Sequence, residues 1–407
     1  MQNRPRLGTL TLIAVLALCG TAAAQVADVP AVENGAEPAA GRRIVPLQEM
    51  WRAGGEDGDV IFGHIFRAEA DKDGNVYLLD TQLSQVPVFA PDGEPVATLS
   101  REGDGPGETR EPADLTLLPD GTLGILQRFP GKVVKIDLQG TPAGEFTIGD
   151  AAAGGFNSVF TGRLKGDNLI LVAQHAEQID GGQKRTWYVS RFDAEGRELA
   201  RCWSRESVLD FTHLVIRESD ILEVTVFAST PGPDGRVYIA PDRHSYAVNV
   251  YAPDGGLDHV IRRDFAPRRR TAQEKGRVQA VFDFWASRNP AEVETDVEEI
   301  AATVASLYVD DANRLWVENS RSAETGDTGA MLIYDVFAPD GKFERQVGFV
   351  CEGDPVDDQL FRVRDDMVVL VKGSIPALYA SMAGGAMDSA EDEQSMEMEV
   401  VCYRIPE

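Results

Sequence analysis

A six-residue phrase occurs three times in this chain and constrains its fold more than any other feature. Val88–Gly93 reads Val-Phe-Ala-Pro-Asp-Gly, and the phrase returns almost unchanged at Val250–Gly255 and at Val336–Gly341. Weaker copies end at Gly140 and at Gly196. Each copy is a β-branched or aromatic strand that runs into a tight glycine turn. Such a repeat indicates one structural unit copied along the chain.

A second strand with its own polar turn precedes each copy, as at Asn75–Asp80 and Arg236–Ala240. A further short apolar run lies upstream of each turn, so the unit is four strands joined by two tight turns and one loop. Six such units fit between Ile44 and Glu407. Four-stranded antiparallel units repeated radially are typical of a β-propeller. We therefore predict an all-β protein, a six-bladed β-propeller over residues 44–407.

The two ends of the predicted propeller complement each other. The last unit ends at Val400–Glu407 without an outer strand, and the early apolar segment 44–52 has no partner of its own. Pairing of the two would complete the sixth blade and remove exposed sheet edges. We expect residues 44–52 to close the ring in this way.

The first predicted blade resembles a known repeat. Ala70–Asp80, followed by Val88–Gly93 and Gly103–Glu108, is similar to an NHL repeat. The chain after its first residues resembles the bacterial secreted six-bladed propellers related to NHL and TolB-like proteins. The resemblance implies the fold and export, but no single activity, because propellers host binding modules, lyases, lactonases and dehydrogenases alike.

The N-terminus has the pattern of a targeting segment. Two arginines precede the apolar run Leu7–Leu18, and Ala22-Ala23-Ala24 follows. This pattern predicts a cleaved signal peptide over residues 1–24 and a periplasmic or extracellular protein. Anchoring as a lipoprotein at Cys19 is an alternative, although the residue before it is a leucine rather than a small residue. Residues 25–43, rich in Ala, Pro and Glu, are expected to form a flexible linker.

The charge of the chain restricts its partners. The formal net charge is −27, and loss of the signal peptide with its two arginines makes it −29. Such an acidic surface repels nucleic acid and anionic lipid. No segment beyond the signal peptide is apolar enough to cross a membrane. We therefore expect neither a nucleic-acid partner nor a transmembrane segment.

Length variation is predicted to fall on one face of the ring. In a four-stranded antiparallel blade, the first-to-second and third-to-fourth turns lie on one face, which we call the short-turn face. The second-to-third loops and the connections between blades lie on the other, the long-loop face. The longest connection is the insert 266–302 between blades 4 and 5. Because function concentrates in loops on rigid scaffolds, we expect the ligand to bind on the long-loop face.

The insert has helical signals. Thr271 and Glu274 form a capping-box pattern, and Val278, Val281, Phe282 and Trp285 fall on one helical stripe. Asn289-Pro290 indicates a second helix. Trp285 and the basic run Arg268-Arg269-Arg270 are candidate ligand contacts, because a cationic run can hold an anion. The stripe can also simply dock the insert on the ring, and the run can balance nearby carboxylates.

Three acidic loops between blades raise the possibility of a metal. Asp57, Asp104 and Asp354 occupy similar places in these loops, and Ca²⁺ takes six to eight oxygen ligands. Asp and Gly also build turns without any metal. Arg110, just after the second loop, is a further candidate contact.

His64 precedes the first strand of blade 1, where amidating-lyase relatives place zinc ligands. The matching positions around Ala113 and Ser306 lack histidine, and the chain has no HExxH or GxSxG motif.

Three cysteines remain after removal of the signal peptide. Cys351 and Cys402 belong to consecutive blades, and an exported protein can form disulfides. We expect these two to pair and Cys202 to stay free.

Together these features favour a non-catalytic recognition propeller that binds a protein, a peptide or a small ligand on its long-loop face. The alternative is a hydrolase or lyase that depends on Ca²⁺ or Zn²⁺, with its site in the central channel.

Overall fold

The computed structural model describes residues 29–56, 58–149, 154–221, 224–289, 293–384 and 398–406. The predicted signal peptide, Cys19 and Asp57 lie outside this part of the chain. Three strands come first in the described chain: β1 (Ala31–Asn34), β2 (Arg42–Pro46) and β3 (Gln48–Gly54). We call residues 29–54 the N-terminal belt.

Six antiparallel units follow in chain order, and contacts between the first strands of neighbouring units place these strands around the centre of the ring. Blade 1 contains β4 (Ile65–Ala70), β5 (Val76–Asp80), β6 (Val86–Phe89) and β7 (Pro95–Leu99). Blade 2 contains β8 (Pro112–Leu117), β9 (Leu123–Gln127), β10 (Lys132–Ile136) and β11 (Pro142–Thr147). Blade 3 contains β12 (Phe156–Lys165), β13 (Asn168–Ile179), β14 (Gly182–Phe192) and β15 (Glu198–Asp210).

The chain then leaves the ring at β16 (Val215–Arg217) and α1 (Glu218–Ile221) before blade 4 begins. Blade 4 contains β17 (Ser229–Pro231), β18 (Val237–Ile239), β19 (Ala247–Tyr251) and β20 (Leu257–Arg263). The insert carries α2 (Ala272–Ser287) and β21 (Glu294–Asp296). Blade 5 contains β22 (Val304–Val309), β23 (Leu315–Asn319), β24 (Leu332–Phe337) and β25 (Phe343–Val350).

Blade 6 contains β26 (Gln359–Arg364), β27 (Met367–Lys372) and β28 (Glu399–Arg404), with α3 (Ser374–Met382) after the second strand. Short 3₁₀ turns occur at Val224–Val226 and Gly326–Thr328. The prediction of an all-β, six-bladed β-propeller with a helical insert is therefore confirmed.

One apolar cluster fills each gap between neighbouring blades, which explains why the strands are so uniformly hydrophobic. The cluster between blades 6 and 1, for example, joins Trp51 and Val369 to Ile65 and Phe89. Five further clusters occupy the other gaps around the ring. Strands between two such layers are buried on both faces, as in β5 and β27, where alternation of polar and apolar residues is absent.

The repeated Ala-Pro-Asp-Gly phrase forms the turn before the outer strand. In blade 1 the amide of Gly93 donates to the carbonyl of Ala90 at 2.9 Å, and Gly93 has φ +88°. Its Cα also faces the belt, because an added Cβ would lie 2.5 Å from the Cβ of Trp51. Both the left-handed backbone and the close approach require glycine here.

The N-terminal belt differs from the sequence-based expectation. Residues 25–43 were expected to form a flexible linker, but β1 pairs in parallel with β20 as a fifth strand of blade 4. The side chain of Asn34 fixes this strand, donating to the carbonyl of Arg262 at 2.9 Å and accepting from the amide of Phe343 at 2.9 Å.

The expected single strand 44–52 is divided at Leu47. Its first part, β2, pairs in parallel with β25 of blade 5. Its second part, β3, pairs antiparallel with β28 and is the outer strand of blade 6. The belt thus runs along the outer edges of three successive blades.

Two further features of the long-loop face differ from expectation. In blade 3 the second-to-third connection, expected as one of the variable loops of this face, is instead the end of a long hairpin at Gln174–Arg185, in which β13 and β14 pair up to Ile179 and Gly182. A second helix after Asn289 was also expected, but β21 pairs in parallel with β16 instead. Within the described residues, none of the helices is long and apolar enough to span a membrane.

Candidate functional site

The central channel is closed at the short-turn face by a side chain that crosses it. Lys165, at the end of the inner strand of blade 3, lies 2.7 Å from Asp311 and 3.0 Å from Asp365 on the opposite blades. Its ammonium also donates to the hydroxyl of Tyr308 at 3.1 Å. Burial opposes its charge, but Tyr308 and the two carboxylates raise the pKa of Lys165 above its usual value. The crossing is therefore a charged plug.

The channel wall on blades 1 to 3 is a ladder of paired charges. Asp114 is almost fully buried, and it accepts hydrogen bonds from Thr161 and from the guanidinium of Arg163. Arg67 lies 3.7 Å from the same carboxylate and 2.5 Å from Glu69. These side chains come from three adjacent inner strands, so they tie the blades together.

The long-loop face carries a small layer over the ring, made of α1, α2, α3, β16 and β21, which we call the cap. The cap has its own apolar core, in which Ile216, Val278, Val281 and Phe282 are buried. Trp285, a predicted ligand contact, packs against this core with its ring 5.8 Å from that of Phe282. Its role in the structure is packing within the cap.

The capping-box prediction is confirmed, and it explains part of the basic run. Thr271 accepts from the amide of Glu274, and Glu274 accepts from the amide of Thr271. Arg268 lies 2.6 Å from Glu274 and holds the pKa of that carboxyl down to about 2. Arg268 is therefore engaged within the insert.

The next two arginines differ from each other. Arg270 lies 2.7 Å from the buried carboxylate of Glu218, which Arg243 of blade 4 also contacts at 2.5 Å. This cluster anchors the cap to the ring. The side chain of Arg269 is 80% exposed and lies 3.9 Å from Glu299. The structure thus does not bring the three arginines together around one anion.

His64 is buried beneath the cap. Its Nδ1 lies 3.1 Å from the hydroxyl of Thr81, and burial lowers the pKa of the ring, although Asp80 and the backbone of Ser374 favour the charged form. Among the residues described, no group of three or more His, Cys, Asp or Glu side chains is arranged to hold a metal ion. His64 therefore has no companion ligands in this part of the chain.

Of the three predicted metal ligands, the structure describes Asp104 and Asp354, and both carboxylates have partners close by in the chain. Asp104 lies 2.9 Å from the guanidinium of Arg110, which lowers the pKa of the carboxyl. Asp354 accepts from the amide of Val356 at 2.8 Å, within its own loop. Arg110, a predicted ligand contact, is thus the partner of a predicted metal ligand.

The predicted disulfide is wrong: Cys202, Cys351 and Cys402 are all free. Cys402 points into the apolar cluster between blades 6 and 1, whereas Cys351 packs at the cluster between blades 5 and 6. The sixth sheet therefore stands between the two sulfur atoms. Cys351 instead lies against Met331, with 3.5 Å between the sulfurs.

Exposed apolar side chains mark the long-loop face. Twelve large apolar residues of the described chain are exposed. Nine of them lie at this face: Ile61, Leu83, Phe129, Phe156, Ile179, Val208, Phe211, Phe227 and Val356. The other three, Val96, Leu199 and Leu257, begin outer strands next to short turns. Sequence reasoning missed the nine because single apolar residues in polar loops have no periodicity.

Two cavities open near this face. One of about 350 Å³ lies between blades 4 and 5 under the belt. Arg263, Asn319 and Gln346 in its wall all donate to the buried carboxylate of Asp335, so their polar groups are largely engaged. A second cavity of about 170 Å³ lies between β15 and β16.

The fold defines the class of protein: a six-bladed β-propeller with one elaborated face. A family model described as a 6-bladed beta-propeller matches residues 58–242. No curated protein matches the chain.

Solved structures are similar in fold at low identity. A candidate exported protein from Bacteroides fragilis has 10% identity and a TM-score of 0.45, covering 93% of this chain and 100% of its own. The calcium-binding protein regucalcin from Agrobacterium tumefaciens has 9% identity and a TM-score of 0.42, with 89% and 96% covered. Virginiamycin B lyase from Staphylococcus aureus has 7% identity and a TM-score of 0.41, with 87% and 98% covered.

Proposed function

We propose that this protein is an exported, non-catalytic recognition propeller that binds a protein, a peptide or a small ligand on its long-loop face. Export rests on the signal-peptide pattern of residues 1–24. The observation that carries the binding proposal is the position of the exposed apolar side chains, nine of which lie on this face among the described residues.

The side of the face that the cap leaves open carries aromatic residues. Phe129 and Phe156, from the loops of blades 2 and 3, are 54% and 38% exposed and meet edge to face at 5.5 Å. Leu83 and Ile61 of the blade 1 loops are 44% and 87% exposed. Covering such surface is favourable by roughly 25 cal/mol per Å², so a partner that fits here gains free energy.

The opposite face offers little of this kind. Its turns are short Asp-Gly and Pro-Asp-Gly segments, and the Lys165 plug closes the channel there. The net charge of −27 also favours neutral or basic partners over anionic polymers. The short turns and the plug support a binding site on the long-loop face, and the net charge indicates the kind of partner.

The test compares what co-purifies with three tagged forms of the full chain from the cells that make it. The face variant carries Leu83→Ser with Phe129→Ser, and the control carries Val96→Ser with Leu257→Ser, which are also exposed but lie on outer strands next to short turns. We expect a protein or ligand retained by the wild type and the control to be lost from the face variant. Equal retention by all three would refute the proposal.

Elemental analysis of the purified protein is an independent check. A stoichiometric Ca²⁺ or Zn²⁺ would argue for the metal-dependent hydrolase or lyase instead.

A further inference from the structure

Blade 3 is built on longer strands than the other blades. Its strands have 10, 12, 11 and 13 residues, and the outer strand β15 runs from Glu198 to Asp210. β15 pairs with β14 on one side, up to Asp210 opposite Gly182, and is the last strand of its sheet. The amide of Phe211 donates to the carbonyl of Gly181, so the alternation of the antiparallel ladder directs the backbone groups of Ser204, Glu206, Val208 and Asp210 away from β14. No backbone hydrogen bond to these four residues from the other side is found within the described part of the chain. A row of unpaired amides and carbonyls is a template for another strand.

The chain itself shows that outer edges of this ring accept an added strand. The belt places β1 in parallel on the outer strand of blade 4 and β2 in parallel on the outer strand of blade 5. It then supplies β3 as the outer strand of blade 6. Blade 3 lies next to blade 4, where the belt begins, and its outer strand has no added strand among the described residues.

The 170 Å³ cavity lies along this free edge. It is lined by the consecutive residues Ser207, Val208, Leu209 and Asp210. Because successive side chains of a strand point to opposite faces, a cavity that touches four in a row follows the backbone edge. Its other wall includes Val215 and Arg217 of β16, which alternate with Ile216 in the cap core. The cavity is thus a slot between the blade 3 edge and the cap.

The slot has a positive charge without a local partner. Arg185 lies in its wall, and its Nε donates to the side-chain oxygen of Gln183 at 2.6 Å. No carboxylate lies within ion-pair distance of Arg185 in the described part of the chain, and burial alone lowers its pKa. Across the slot, Arg217 lies 3.8 Å from Asp220, a loose pair that is half exposed. Asp210 is already bonded to Thr212.

We propose that an extended peptide segment of a partner protein, carrying an acidic side chain, adds as a strand to the outer edge of blade 3 between β15 and β16. Its main chain pairs with the free edge of β15, which supplies affinity, and its acidic side chain meets Arg185, which supplies specificity. The inference rests on the proposed function and names the kind of partner and the place on the long-loop face.

The test uses a library of random twelve-residue peptides displayed on phage and selected on the immobilised full chain. Val208→Pro removes a backbone donor from the edge, and Val96→Pro places the same change on the outer strand of blade 1 as a control. Arg185→Glu leaves the backbone intact and reverses the charge. Hydrogen exchange of the full chain with a selected peptide locates the binding site.

We expect the selected peptides to contain Asp or Glu, to bind Val208→Pro and Arg185→Glu at least about tenfold more weakly, and to bind Val96→Pro as they bind the wild type. They should slow exchange within residues 204–210. Selection on Arg185→Glu should favour Lys or Arg instead.

The inference falls if selected peptides bind Arg185→Glu and the wild type alike, if exchange slows elsewhere, or if the library yields no binder. Peptides that are lost only on the Leu83→Ser, Phe129→Ser variant would leave the proposed function standing without the slot. Peptides that bind every variant equally would count against both.

Discussion

At the scale of single residues, burial determines how reactive the three cysteines are. Burial raises the pKa of Cys202 to about 11 and that of Cys402 to about 12. At pH 8 both thiols are protonated and enclosed, so they are poor nucleophiles. We expect alkylation of the native protein at pH 8 to modify Cys351, which is partly exposed, well before the other two.

Denaturation without reductant should then expose three reactive thiols in the chain from which the signal peptide has been removed, as counted by mass spectrometry. A count of one reactive thiol would instead support the disulfide between Cys351 and Cys402.

A buried histidine makes stability depend on pH. Burial lowers the pKa of His64 below its ordinary value of about 6.5. As the pH falls below 6.5, the unfolded chain binds a proton that the folded chain does not, so this residue makes the protein less stable in acid. Between pH 7 and pH 5, His64→Gln should lose less unfolding free energy than the wild type in urea titrations.

His213→Gln, at a side chain that is 69% exposed, controls for the loss of a surface imidazole. Parallel losses in the wild type and His64→Gln would contradict the assignment of His64 as a neutral buried ring.

At the scale of elements, the capping box governs how firmly the cap is held. Thr271→Ala removes the side-chain acceptor at the start of α2 and should cost about 1 kcal/mol of local stability. Faster hydrogen exchange in Ala272–Ser287 would show this loss, whereas Thr271→Ser keeps the hydroxyl and should exchange like the wild type. Unchanged exchange in the alanine variant would mean that packing alone fixes the helix.

The charge of Glu274 gives the same helix end a pH dependence. Its pKa is lowered to about 2, chiefly by Arg268. The stabilisation is therefore present above the ordinary carboxyl pKa of about 4.3 and is lost as the pH falls toward 2. The difference in exchange between Glu274→Gln and the wild type should shrink over that range, and a constant difference would argue against an ionic contribution.

The insert also shows what sequence patterns can and cannot predict about an element. The first helix followed from a local signal, since Thr271 and Glu274 are three residues apart. The second was wrong because apolar residues at Val293 and Val297 fit a helix and a docked strand equally well. The segment becomes a strand because β21 pairs with β16, about 80 residues earlier in the chain. Pairing between such distant segments leaves no local sequence pattern.

At the scale of the whole molecule, the ring was predictable because each blade repeats the same local code of strand, turn and glycine. The belt was not predictable, because the sequence of Ala31–Asn34 has no alternation of polar and apolar residues. This segment forms a strand because it pairs with the outer edge of blade 4. The candidate site was predictable only as a face. Its exposed aromatics and the slot beside β15 arise from loops and edges that meet in space.

Stepwise truncation tests the energetic weight of the belt. A chain that begins at Val29 keeps the whole belt, one that begins at Arg42 lacks β1, and one that begins at Gly55 lacks all three strands. Melting temperatures should fall in that order, most steeply at the last step, since Trp51 is 6% exposed and stacks on Phe89 at 5.2 Å.

Trp51→Ala alone should cost about 3–5 kcal/mol. If the chain that begins at Gly55 has the same melting temperature as the chain that begins at Val29, blade 6 needs no outer strand from the belt.

The belt also has a consequence for how the protein is made. A ribosome releases residues 31–54 before any of the strands they pair with, because their partners lie within residues 257–404. Blades 1 to 3 can assemble from neighbouring strands while synthesis continues, but contacts this distant in sequence form late and slowly. An unfinished chain therefore has an open ring with bare sheet edges at both ends, which is the form most exposed to proteases and to misassembly. β1 and β2 can pair once β20 and β25 have been made, whereas β3 must wait for β28 before it can take its place in blade 6.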